Sequence, residues 1–145
     1  MTNTGLGAAP QPDPQAMEAL MAKVARIQKI LGFLSQSQGL VGLILLFSPF
    51  WLSSLTGMQE PFAFLALAPF FLGLAYAANF AKKDLTFAKV VFRNTAIAQT
   101  GLFIIALIGI FFLKLPVVFW VLAAITFILG GLPGMVIYQA QKEQK

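Results

Sequence analysis

The chain has 145 residues, 59% of them hydrophobic and only 10% charged, with a formal net charge of +5. Soluble domains are nearer to about 50% apolar and about 25% charged, so this composition, with a mean hydropathy of +0.83, places the chain among membrane proteins and leaves no room for a separate soluble domain. Cysteine and histidine are both absent, which excludes disulfides, thiol nucleophiles, iron–sulfur clusters, the usual haem ligands and most zinc chemistry.

Residues 1–13 (MTNTGLGAAPQPD) hold Gly, Pro, Asn and Gln with no apolar period and read as a disordered N-terminus. They lack the basic stretch and apolar core of a signal peptide. Asp13-Pro14 is a helix start, with Asp as N-cap and Pro at the first helical position. From there to residue 31 the apolar residues Met17, Leu20, Met21, Val24, Ile27 and Leu31 share one face, and Lys23, Arg26 and Lys29 lie opposite. The expectation is an amphipathic helix that either rests on anionic headgroups or docks into a partner's groove.

Four long apolar segments follow, at about 32–55, 61–81, 92–113 and 116–138. Each reaches the ~20 residues needed to cross about 30 Å of hydrocarbon. Glu60-Pro61 and Pro116 open the second and fourth spans, and Asp84 is placed to cap the third helix. Short connections make consecutive helices antiparallel neighbours. The predicted fold is therefore an all-α integral membrane protein, a four-transmembrane-helix up-down bundle over 32–139 with a tail at 140–145.

Orientation follows from the basic residues. Lys23, Arg26, Lys29, Lys82, Lys83, Lys89, Arg93, Lys142 and Lys145 all fall on one side, against Lys114 on the other. The positive-inside rule makes both termini cytoplasmic, in what is expected to be a bacterial inner membrane. It also accounts for the net charge without nucleic acid. Trp51 and Trp120 are expected at the outer interface beside Phe50 and Phe119, with Tyr138 at the inner one. Lys114 reads as a snorkelling lysine.

No carboxylate falls within a span: Asp13, Glu18, Glu60, Asp84 and Glu143 all lie outside. The pattern offers no proton relay, no paired acids and no nucleophile with a base beside it. No catalytic residue, metal ligand or cofactor site is predicted, and the chain reads as a non-enzyme. The polar residues within the spans lie toward the cytoplasmic side. Among them Gln38, Asn79, Asn94 and Gln99 reach a similar depth, as interhelical hydrogen-bonding groups or as a polar pocket. Lys89 and Arg93, four apart on one helix, form a candidate contact for a lipid phosphate. Gly73 with Ala77, and Gly130 with Gly134, are small-residue pairs where helices can approach closely. Pro49, Pro69 and Pro133 are expected to kink or break their spans, with 130–134 as the chief hinge.

The expected role is a non-catalytic scaffold, accessory or assembly subunit of a larger membrane complex, or a self-associating bundle. The alternatives are a lipid- or quinone-binding module with a cytoplasm-facing polar pocket, and a small channel or facilitative transporter. The expected partners are membrane lipids and other membrane subunits or further copies of the chain. Nineteen aromatic side chains suit such packing (15 Phe, 2 Trp and 2 Tyr).

Overall fold

The structure is a computed structural model that describes residues 13–57, 62–112, 114 and 118–142. These residues form five α-helices and one 3-10 turn: α1 Pro14–Phe47, α2 Pro49–Thr56, α3 Phe62–Lys83, the turn Leu85–Phe87, α4 Ala88–Phe112 and α5 Val118–Lys142. Four of them, α1, α3, α4 and α5, are long and apolar enough to cross a membrane. The chain is an integral membrane protein built on an all-α, four-helix bundle. The expected helix starts at Glu60-Pro61 and Pro116, residues 1–12 and the end of the tail lie outside the described residues.

Local sequence sets the helix ends. The Asp13 carboxylate accepts a hydrogen bond from the Gln15 amide at 3.0 Å, with Pro14 in the first turn. The Asp84 carboxylate accepts from the Thr86 hydroxyl at 2.6 Å and from its amide at 3.1 Å. These two bonds, the hydroxyl's first, hold the Asp84 carboxyl below its ordinary range. Their contribution to stability is therefore present above the ordinary carboxylate range and is lost as pH falls through the lowered value.

The amphipathic segment and the first span prove to be one helix. Gly32 does not interrupt α1, which is 34 residues long. The break falls instead at Ser48, where Pro49 lacks the N–H to continue and starts the short α2. Pro69 and Pro133 lie inside α3 and α5, which continue through them.

The helices form two antiparallel hairpins, α1 with α3 and α4 with α5. Small residues set the first register: Gly32 lies against the Lys82 side chain, Gly39 against Ala75 and Gly42 against Leu72. In the second, Gly130 sits against Gln99, Phe103 against Phe127 and Phe111 against Trp120. The hairpins touch each other far less, through α3 with α4 and α1 with α5, so α1 and α4 lie across the bundle from one another. Leu31, Leu34, Ala78, Ala81, Val91, Phe92 and Leu129 form a shared core toward the basic end.

A Cβ built on Gly39 lies 3.7 Å from the Ala75 Cβ, within the ~3.5–4.5 Å that disulfides require. The chain has no native cysteine, so Gly39→Cys combined with Ala75→Cys is expected to crosslink on mild oxidation. The readout is a gel shift reversed by reductant. A pair that oxidises no faster than Gly73→Cys with Gly39→Cys contradicts the register.

Candidate functional site

Each spanning helix turns one row of side chains inward. On α1 the row is Leu31, Leu34, Gln38 and Gly42, and on α4 it is Ala88, Val91, Phe92, Thr95, Gln99 and Ala106. Apolar residues are expected along such rows. Gln38, Thr95 and Gln99 are polar interruptions, each fully buried at 0% exposure. Gln38 points inward from the first hairpin, and Thr95 and Gln99, one turn apart, from the second.

These three side chains differ from the other buried polar groups. The Thr126 hydroxyl donates to the Leu122 and Ala123 carbonyls at 3.0 Å each. Thr56 donates to the Leu52 carbonyl at 2.8 Å. Among the described residues, neither amide atom of Gln38, neither amide atom of Gln99, nor the Thr95 hydroxyl has a hydrogen-bond partner. Leaving such a group buried and unpaired costs roughly 1–3 kcal/mol, and buried polar groups are normally satisfied. A layer of five unpaired polar atoms is thus a chemical feature of the bundle interior, rich in neutral donors and acceptors.

One turn away, toward the end opposite the basic one, lies an apolar cleft of about 220 Å³ between the hairpins. Val41 and Phe71 from the first hairpin and Leu102, Leu122 and Ile125 from the second form its walls. Val41 and Leu102 are each three residues beyond Gln38 and Gln99, so the polar layer sits just behind the inner wall of the cleft.

The four residues singled out for a polar pocket therefore separate. Gln38 and Gln99 face the interior, while Asn79 and Asn94 are exposed on the outside of their helices. Thr95 takes the place that depth alone had given to Asn94. Helical spacing carries the signal: Thr95 and Gln99 are four apart and share a face, whereas Asn94 and Gln99 are about 140° apart at 100° per residue. The apolar cleft left no mark in the sequence.

The basic end carries a second concavity. Lys89 lines a groove of about 220 Å³ with Ile27, Val136 and Gln141, and Arg93 is exposed one turn along α4. A smaller recess between α1 and α5 is lined by Lys23, Arg26 and Gln139. Of the small-residue pairs, Gly130 is buried against Gln99, where a Cβ would stand 3.0 Å from the Gln99 Cβ. Ala77 packs beside the shared core. Gly73 and Gly134 have nothing within 4 Å of an added Cβ.

Among the described residues no group of three or more His, Cys, Asp or Glu is placed to hold a metal ion. What the interior offers chemically is neutral hydrogen bonding beside an apolar cavity. The chain matches no protein-family model, no curated protein and no solved structure.

Proposed function

We propose that this chain is a non-catalytic accessory or assembly subunit that docks into a larger membrane complex through its N-terminal helix. The observation that carries the reading is the length of α1. Thirty-four residues extend about 51 Å at 1.5 Å per residue, against about 30 Å of hydrocarbon. The surplus emerges at the basic end as a helical arm with Met17, Leu20 and Met21 at 45%, 61% and 60% exposure. An arm continuous with a spanning helix is directed away from the bilayer and does not lie along it. Its apolar row then suits a partner's groove better than a lipid surface. Arg26 and Lys29 at its base favour a partner with acidic residues beside that groove.

The same arrangement supports a placement in the cytoplasmic membrane of a bacterium with both termini inside, because the arm, the Lys82–Lys83 corner and Lys142 crowd one end. A single cysteine at Lys114→Cys is expected to react with a membrane-impermeant maleimide in intact cells. One at Lys142→Cys is expected to react only after lysis. The opposite labelling pattern reverses the orientation.

Native mass spectrometry after gentle extraction tests the subunit reading. The expected result is an assembly holding other chains in fixed stoichiometry, which dissociates when Leu20→Asp and Met21→Asp are introduced together. Both positions are exposed, so the bundle's own melting temperature should stay put. A monomer with no stoichiometric companion defeats the proposal.

A further inference from the structure

We propose that the apolar cleft and the Gln38–Thr95–Gln99 layer together form a binding site for a neutral, quinone-type molecule: a ring with polar oxygens on opposite edges, attached to an apolar tail. The inference stands apart from the docking role, because it uses no part of the arm.

The cleft decides the body of the ligand. Its walls are aliphatic and aromatic side chains such as Val41, Phe71, Leu102 and Ile125, so a sugar, a nucleotide or an ion finds nothing there to replace its water. Its volume of about 220 Å³ exceeds the ~150 Å³ cavity that admits benzene, leaving room for a substituted six-membered ring. It lies between the two hairpins, which touch each other far less than the helices within each do, and its open side gives a tail an exit into lipid.

The polar layer decides the head. Gln38, Thr95 and Gln99 are uncharged and fully buried, so they do not compensate a phosphate or a carboxylate; a charged headgroup is better served by Lys89 and Arg93. The two amides approach from helices on opposite sides of the bundle. Together they present NH₂ donors to two opposed carbonyls and C=O acceptors to two opposed hydroxyls, so both the quinone and the quinol form are accommodated. An ester or a single hydroxyl satisfies one amide and leaves the other unpaired, which is costly in an apolar interior. The head reaches the amides by displacing Val41 and Leu102, the two side chains between them and the cleft.

The test is equilibrium binding of a decyl-substituted benzoquinone to the protein in nanodiscs, with empty nanodiscs subtracting simple partition. The expected result is saturable binding of one quinone per chain. Gln38→Leu and Gln99→Leu should each weaken it at least tenfold, Ile125→Phe should weaken it by filling the cleft, and exposed Asn94→Leu should leave it unchanged. Melting temperatures of the ligand-free variants, expected at or above that of the parent, separate lost binding from misfolding. Uptake equal to empty nanodiscs overturns the proposal, and so does quinone binding that survives both glutamine substitutions. Displacement of the quinone by equimolar diacylglycerol also overturns it, since the cleft would then be a lipid site.

Discussion

Gly42→Ala is expected to destabilise the first hairpin by about 1–3 kcal/mol, the range for overpacking a filled interface, and Gly42→Leu is expected to prevent α1 and α3 from pairing. A Cβ at position 42 lies 2.8 Å from Leu72 Cγ, 2.9 Å from Leu72 Cδ2 and 3.1 Å from the Leu72 backbone nitrogen. The leucine side chain can swing away, but the backbone nitrogen moves only with the whole of α3. The contrast is Gly73→Ala, where nothing lies within 4 Å. There the same methyl group removes only the backbone freedom of glycine and should stabilise by roughly 0.5–1 kcal/mol. Two chemically identical substitutions thus carry opposite signs. Unfolding in mild detergent, followed by helicity, measures both. Equal tolerance of the two would mean that α1 and α3 do not meet at Gly42.

Gln99→Met and Gln38→Leu are each expected to stabilise the ligand-free protein by about 1–2 kcal/mol, and so to raise its melting temperature, because each removes a buried, unpaired amide while keeping most of its volume. Asn94→Leu, at an exposed position on the same helix, should move stability by no more than about 0.5 kcal/mol. The direction is informative. Glutamines that hydrogen-bond across membrane helices contribute about 0.6 kcal/mol on average, so their removal ordinarily costs stability. A fall in melting temperature in both variants would show that the amides are paired and that the layer is a structural cross-brace. A rise identifies groups retained at the expense of stability, the usual mark of a functional interior.

The spans were legible because hydropathy over a ~20-residue window needs no knowledge of neighbours. Asp13 and Asp84 were legible as caps because a cap is a contact within three residues. The continuity of α1 through Gly32 was harder to read. A single glycine in a long helix costs about 1 kcal/mol, which burial of Leu31 and Leu34 on either side readily offsets. Nor do the prolines announce which of them breaks a helix. Pro49 ends α1 beside Ser48, while α3 and α5 continue through Pro69 and Pro133, each losing one backbone hydrogen bond. The site was half legible. Sequence fixes the depth of Gln38, Asn79, Asn94 and Gln99 but leaves open which way each helix is turned, and that rotation separates the buried pair from the exposed one. The cleft arises where two hairpins fail to interlock, a property of shapes that no single segment carries.

The unbroken run of α1 makes it a stiff lever that joins two places described separately. A rod of about 51 Å that tilts by roughly 10° displaces one end against the other by roughly 9 Å, and a helix without a hinge cannot absorb that motion along its length. Gln38 lies on this rod between the arm bearing Leu20 and the break at Ser48. Any tilt of the arm is therefore carried along the helix to Gln38 and to the α3 face on which α1 packs.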